Sequence, residues 1–575
     1  MVFSNYTKKY TDEGYYNMRE SNMDLIKLTF PDGSEMEVAE GISLLELSND
    51  FTGKYKSVIV AAKVDNDIKE LSFHLYNNAN IEFIDLTNDD GMRIYRRSLS
   101  FVLIKAVNDL YPDRKVIISH SISKGIFCEV NGDTPLTAEE VSKIEDRMRE
   151  LIERKIPFVK KILSLDEARE IFRKTGRLDR FSAVEYRKKS YVTIYNCDGF
   201  EDYFYGYMAP DTGYLKKFAL KFYSPGLIMM FPDKTNPDII PKFKEQKKLF
   251  SIFKEYKNWG RILGVANVGS LNALVKENKV NELIRVGEAL HEKKIAQIAD
   301  MIAFNKHKKR VVLIAGPSSS GKTTFAQRLA IQLKVNGLRP VTISLDDYFV
   351  DRDRTPVDEN GEFDFEALEA IDLLLFNQHL ASLIKGEEVG IPIFNFPNGC
   401  REDFCRKLKI DEDQLLIIEG IHGLNERLTS SIPKESKFKV YVSAITSMSI
   451  DDHNRIPTTD SRMLRRIVRD FQFRGCSAIN TIKRWPSVRR GEEKNIFPFQ
   501  EEADIMFNSA LPFELGVLKV LAEPLLSDVD SSQEEYSEAR RLIEFLTNFV
   551  PIESKEIPAN SIIREFVGGS CFYEQ

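Results

Sequence analysis

The sequence predicts a multidomain protein of mixed α/β and α+β class, with a β-grasp at the front and a P-loop domain on a mostly parallel sheet at the back. Three observations carry this. The apolar run Val311–Ala315 ends at Gly316, is followed by Gly321-Lys322-Thr323, and gives way to helical spacing at Phe325, Leu329 and Leu333. Two more apolar runs end in acidic residues, Val341–Leu345 before Asp346 and Leu415–Ile418 before Glu419. Open parallel sheets deliver functional groups at such strand ends. Near the front, four strand-like runs and a short helix alternate with turn signals from Asp24 onward.

The chain has 575 residues, enough for three or four domains, and an apolar fraction of 43%, enough for real cores. A net charge of −6 gives no bulk attraction to nucleic acid, although local patches remain open. Six scattered cysteines without a CxxC pair, and seven histidines without HExxH spacing, argue against a disulfide framework and a zinc site. Residues 1–23 are polar and tyrosine-rich and read as a flexible extension rather than a signal peptide. The longest apolar runs, such as Leu227–Phe231, are far too short to cross a bilayer, so a cytoplasmic protein with no membrane partner is expected.

In chain order, Leu25–Phe30 is a strand, Pro31-Asp32-Gly33-Ser34 a turn, Met36–Val38 a strand and Leu44–Asn49 a short helix. Ser57–Val64 and Ile81–Ile84 complete a β-grasp over 24–90. Residues 91–240 form a second unit, and the Lys- and Glu-rich, amphipathic stretch 241–308 reads as a helical connector. The basic run Lys306–Arg310 is a solvated strand entrance or, less simply, a nucleic-acid patch. The P-loop domain is placed at 309–525 and a C-terminal helical tail at 526–575, to which no chemical role is assigned.

The P-loop is Gly316, Pro317, Ser318, Ser319, Ser320, Gly321, Lys322 and Thr323, with Thr324 next. Its glycines let backbone N–H groups turn toward an anion, and the helix beginning at Lys322 adds its positive end. Lys322 can reach the outer phosphates of ATP, and the Thr323 hydroxyl can ligate Mg²⁺. Asp346 is placed to accept the proton of an attacking hydroxyl; Asp347 competes for that role, and an N-cap is the plain alternative. Glu419 stands where a carboxylate holds Mg²⁺, with Thr323 and Asp346 as companions. Asp364 lies between two phenylalanines, and Pro392–Pro397 forms a pocket edge. Arg462, Arg465, Arg466, Arg469 and Arg474 form a dense array suited to a lid that clamps phosphate.

Two resemblances follow from these stretches. "IKLTFPDGSEMEVAEGISLLEL" resembles the TGS domain of threonyl-tRNA synthetases. "GMRIYRRSLSFVLIKAVNDLYPDRK", "TAEEVSKIEDRMRELI" and "EDYFYGYMAPDTGYLKKFAL" resemble the editing-associated domain that follows it, an α+β unit. That family's editing site carries HSxxH and CxxxH motifs. Here those positions hold Arg97, Phe101, Phe204 and Met208, so hydrolysis of mischarged tRNA is not expected; a docking or sensing role, or mere packing, remains.

The P-loop, "SLDDYF", "EFDFEALEAID", "LLIIEGIHGL" and "RRIVRD" resemble the uridine kinase and phosphoribulokinase family. The resemblance implies a kinase that phosphorylates a hydroxyl using ATP and Mg²⁺. It assigns the general base to Asp346, ribose contact to Asp364, the Mg²⁺ site to Glu419, substrate contact to Arg466, and phosphate contact to the lid residues Arg469 and Arg474. The base-reading segment of uridine kinases corresponds to Phe394–Arg401, which makes Phe394 and Arg401 candidates for substrate contact. The family's tyrosine and histidine there are replaced by Phe394 and Gly399. A nucleoside is the expected acceptor; another sugar, sugar phosphate or polyol is the alternative. An RNA- or nucleotide-binding regulator with tRNA as partner is the rival from another class. A homo-oligomer is expected.

Overall fold

The computed structural model describes residues 24–187, 189–359, 361–395 and 398–573. The expected extension 1–23, and Phe396 and Pro397 of the expected pocket edge, lie outside the described residues.

The first unit has strands β1 (Leu25–Thr29), β2 (Glu35–Ala39), β3 (Ile59–Val64), β4 (Asp67–Glu70) and β5 (Ala79–Asp85), with helix α1 (Leu44–Ser48) between β2 and β3. The sheet order is β2-β1-β5-β3-β4, with β1 and β5 parallel. Gly33, at φ +79°, makes the first turn, and Asp32 accepts from the Ser34 amide at 2.9 Å. Ser43 and Glu46 form a reciprocal capping box that starts α1.

The second unit starts with α2 (Asp89–Leu110), followed by β6 (Lys115–Ile122), β7 (Gly125–Asn131), α3 (Ala138–Glu153), β8 (Val159–Ser164), α4 (Leu165–Lys174), α5 (Leu178–Glu185), β9 (Tyr191–Cys197), β10 (Phe200–Tyr203), β11 (Ala219–Tyr223) and β12 (Gly226–Met230). It holds two antiparallel sheets, β10-β9-β8 and β11-β12-β7-β6. α2 is buried along most of its length and joins both sheets through one core.

Helices α6 (Lys247–Ile262), α7 (Val268–Lys276) and α8 (Val280–Phe304) occupy the stretch read as a connector. They do more than connect. Ile295, Ile298, Ala299 and Ile302 of α8 pack into the same core as Val312 and Phe325, and Phe253 and Tyr256 of α6 pack with Tyr441 and Met506.

The third unit runs β13 (Val311–Ala315), α9 (Lys322–Val335), β14 (Arg339–Ser344), α10 (Leu373–Ile384), β15 (Val389–Asn395), β16 (Cys400–Leu408), β17 (Gln414–Glu419), β18 (Lys437–Ser443), α11 (Thr458–Arg474), α12 (Ala478–Asn495), β19 (Ile505–Asn508), α13 (Glu514–Ser527), α14 (Tyr536–Leu546) and α15 (Arg564–Val567). Its main sheet, β14-β17-β13-β18-β19, is parallel throughout. β13 is buried on both faces, as the central strand of a covered parallel sheet must be, which explains its unbroken apolar sequence. The register pairs Ile314 and Ser344 with Glu419, so β13, β14 and β17 end level. The C-terminal residues are no loose tail: Leu542, Phe545, Ile562, Ile563 and Phe566 belong to the core around α9.

The front and back units meet through charged pairs. Arg93 and Arg541 share Glu538, and Arg541 also holds Asp460 at the start of α11 at 2.7 Å. Asp202 is fully buried between Arg180 and His453. Among the described residues, no helix is long and apolar enough to cross a membrane.

Candidate functional site

The P-loop is shaped by two glycines for two reasons. A Cβ on Gly316 would lie 1.9 Å from the Val442 carbonyl oxygen, so the loop can leave β13 only with glycine there. Gly321 stands at φ +82°, the left-handed region, and caps α9. Ser319 shares that region at φ +58°. Two arginines of α11 hold the loop from below. Arg462 donates to the Ser318 carbonyl at 3.0 Å and pairs with buried Glu492; Arg465 donates to the Ser319 and Ser509 carbonyls at 3.4 and 2.9 Å and pairs with Glu514. Both are almost fully buried, which corrects their placement in a phosphate-clamping lid: they are struts.

The other three arginines do reach outward. Arg466 donates to the Ser318 hydroxyl at 2.9 Å. Arg466, Arg469 and Arg474 lie 3.2, 2.7 and 3.7 Å from the single carboxylate of Asp470. Asp470 thus gathers three arginines beside the P-loop, the kind of donor cluster that takes a phosphate.

Carboxylates gather at the level ends of β14 and β17. The Glu419 carboxylate accepts from the Ser344 hydroxyl at 3.0 Å and from the Thr323 hydroxyl at 3.4 Å. Burial, then the negative charge of Asp346, raises its proton affinity. Asp346 and Asp347 sit in a single 3₁₀ turn after β14, with the Asp346 amide on the Ser344 hydroxyl at 3.3 Å. Burial and the neighbouring Asp346 push Asp347 up to about 6. Lys322 folds back, its Nζ 3.3 Å from the Pro317 carbonyl oxygen. Thr323 and Glu419 are in contact and Asp346 is close enough to act on the Glu419 charge; all three offer the oxygen donors that a hard divalent cation takes. Among the described residues no group of three or more His, Cys, Asp or Glu side chains is placed to hold a metal ion, at this site or elsewhere, so a cation here would also lean on the Thr323 hydroxyl and on phosphate oxygens.

Asp364 is buried beside this group, and one of its carboxylate oxygens is used in a turn. Its carboxylate accepts from the Glu366 amide at 3.1 Å, and its own amide donates to the Pro356 carbonyl at 2.7 Å, so it shapes a turn. A second side chain, Glu366, lies close enough to Lys322, Arg466 and Asp346 to feel their charges, and sequence reasoning missed it. Its Oε2 is buried with no hydrogen-bond partner among the described residues. Burial, then the charge of Glu492, pushes it up to about 7, against the pull of Arg466 and Lys322. The available signal was that acids alternate with Phe363 and Phe365, and here the two phenylalanines are exposed while Asp364 is buried and Glu366 half-buried. Buried His422 holds the next carbonyl, Ala367, at 3.1 Å and fixes the loop.

The β15–β16 hairpin flanks Asp347. The Phe394 ring meets Phe349 at 5.7 Å, and Arg401 pairs with Asp372 at 3.0 Å. Gly399 stands at φ +68°, where a Cβ would come within 2.7 Å of the Arg352 guanidinium.

The four editing positions of the front unit also come together, to a different end. Arg97 donates to the Tyr207 carbonyl. Phe101 contacts Phe158, Phe200 and Phe204 at ring distances of 5.4, 5.6 and 5.5 Å. The Met208 sulfur lies 3.9 Å from the Ser98 hydroxyl. Where that family's motifs carry histidines and a cysteine, this chain has a packed aromatic core.

The parallel sheet, the glycine-bounded loop and the strand-end carboxylates define a P-loop nucleotide-binding domain. Residues 311–513 match the model of the Phosphoribulokinase / Uridine kinase family, and this part of the chain is a domain of that family. The N-terminal half is similar to threonine–tRNA ligases. It is 30% identical to that of Desulforamulus reducens over 197 residues, 34% of this chain and 31% of the relative. It is 31% identical to that of Hyphomonas neptunium over 195 residues, 34% of this chain and 30% of the relative. The chain thus spans about a third of the length of the curated relatives it matches. Solved structures similar to it include a possible uridine kinase from Bacillus stearothermophilus, at 17% identity over 36% of this chain and 97% of that one, TM-score 0.26. A D-glycerate 3-kinase from Cryptococcus neoformans is 15% identical over 44% of this chain and 88% of that one, TM-score 0.21. Likenesses at that level decide nothing about the chemistry.

Proposed function

We propose that this chain is an ATP- and Mg²⁺-dependent kinase that transfers the γ-phosphoryl group to a hydroxyl of a nucleoside. The observation that supports it most is the convergence of Asp346, Glu419 and Glu366 around Lys322 and Thr323. Unpaired carboxylates are costly when buried, and here they face a cradle of donors as a bound cation and a hydroxyl substrate would require. Thr323 and Glu419, with Asp346, would hold Mg²⁺, which when bound offsets charge on the phosphates.

In this reading the N–H groups of the loop, with Lys322 and Thr324, seat the phosphates of ATP. Asp346 takes the proton from the acceptor hydroxyl as that oxygen attacks in line. Asp364, to which the resemblance gave this part, and the neighbouring Glu366 accept from further hydroxyls of the acceptor. Arg466, Arg469 and Arg474 close on the transferring group and stabilise its charge. The front unit is proposed to keep its synthetase-like fold without hydrolytic chemistry, within the domain division stated from the sequence.

One observation favours a different acceptor. The left-handed backbone at Gly399 disfavours any side chain there, a base-reading one included, so a sugar or polyol acceptor is the second reading. Labelled phosphate transfer from ATP and Mg²⁺ to a panel of nucleosides, sugars and polyols separates them. The first reading expects one nucleoside to be turned over well above the rest. Turnover of polyols alone would replace it, and turnover of nothing would remove both.

A further inference from the structure

The C-terminal segment beyond Ser561 lies against the end of the P-loop and the start of α9, at Gly321 and Thr324. It is anchored by fully buried Ile562, Ile563 and Phe566. Ile562 sits so close to the loop that a Cβ on Gly321 would be 2.4 Å from its Cγ2, and the Arg465 guanidinium stacks 4.9 Å above the Phe566 ring. Arg564 donates to the Ser554 and Ile557 carbonyls, both at 2.7 Å, and fixes the turn that presents its neighbour.

That neighbour is Glu565. Its Oε2 accepts from the Thr324 amide at 3.2 Å and from the Thr324 hydroxyl at 2.8 Å. Among the described residues it forms no ion pair with a lysine or arginine, so the donors at the start of α9 are what hold this anion. Gly568 and Gly569, at φ +86° and +73°, turn the chain back, and the Cys571 amide closes the turn on the Ala559 carbonyl at 3.0 Å. This brings the Tyr573 hydroxyl to 3.3 Å from the Thr324 hydroxyl. A carboxylate and a phenol thus occupy the first-turn donors that a P-loop offers to the inner phosphates of a nucleotide.

We propose that residues 561–573 are a built-in competitor for the nucleotide site, with the Glu565 carboxylate in the place of an inner phosphate. The proposal rests on the ATP-dependent reading above. Entry of a nucleotide requires Glu565 and the 568–573 turn to leave Thr324, while Ile562, Ile563 and Phe566 stay anchored. The measured affinity is then the intrinsic affinity multiplied by the fraction of molecules in which the turn is away. A signal that stabilises the displaced turn would switch the site on without touching the catalytic carboxylates.

The test is calorimetric titration of ADP and of ATP, each with Mg²⁺, into the full chain and into Glu565→Gln, with hydrogen exchange of 561–573 followed in the wild type. Removing the charge is expected to tighten ADP about tenfold, the scale of one hydrogen bond to a charged group. Saturating ADP is expected to speed exchange at 568–573. Unchanged or weaker binding by a folded Glu565→Gln overturns the proposal while leaving the kinase reading in place. Absence of any nucleotide binding in both proteins overturns both. Should the variant fail to fold, the wild-type exchange decides: protection of 568–573 that ADP leaves unchanged overturns the proposal.

Discussion

The molecule has two places where a sequence resemblance points to catalysis, and they have opposite interiors. In the front unit the motif positions are filled: Phe101 and Phe204 pack into an aromatic cluster and Arg97 spends its charge on a backbone carbonyl. In the back unit the acids are left hungry: among the described residues Glu366 has a buried oxygen with no hydrogen-bond partner, and Glu419 accepts from two hydroxyl groups and forms no ion pair. The lesson is about satisfaction rather than motif. A cleft kept for chemistry retains groups that only a ligand can satisfy, and a cleft kept for stability is closed with groups that satisfy one another.

The sharpest break of this contrast is Asp346→Asn. It keeps size and removes the proposed base, so kcat is expected to fall by about 10³-fold while nucleotide still binds. Steady-state kinetics with a binding titration checks it; a loss of binding alone would make Asp346 a nucleotide contact. Next is Phe101→Ala, expected to lower stability by about 3–5 kcal/mol through the cavity it opens, with kcat unchanged. Denaturant unfolding followed by an activity assay measures both. A variant of full stability would mean the front site is not packed as described.

Glu366→Gln comes third. Loss of a charge-assisted hydrogen bond to the acceptor is expected to raise its KM about tenfold, with the KM for ATP unmoved. The smallest effect is on stability against pH. Glu366 keeps its proton in the folded state up to about 7, whereas an ordinary glutamate loses it near 4.5. The stability it contributes is therefore complete below the lower value and is lost as pH rises through the upper one. In thermal melts without ligand, Glu366→Gln should match the wild type near pH 4 and exceed it at pH 8. Equal melting points at pH 8 would mean that Glu366 finds a partner.

Much of the site is legible in the chain because it follows from local rules. An apolar run that ends in an acid residue forecasts both Asp346 and Glu419, since parallel strands bring their ends level. What was not legible depends on orientation. "EFDFEALEAID" offers several acids, and only the fold shows that Asp364 and Glu366 lie inward beneath the exposed Phe363 and Phe365, with one Asp364 oxygen taken up by a turn. The arginines of α11 repeat every three or four residues, and spacing alone does not say that Arg462 and Arg465 face the interior while Arg466 and Arg469 face the cleft. The C-terminal segment carries no motif; its role emerges only from the long-range approach of Glu565 to Thr324.

The central claim is that the back cleft does the chemistry and the front one does not. Acceptor-dependent ADP release by the wild type, Asp346→Asn and Phe101→Ala, measured side by side, tests it most directly. The account predicts near-abolition in Asp346→Asn and wild-type turnover per folded molecule in Phe101→Ala. Undiminished release by Asp346→Asn would contradict it.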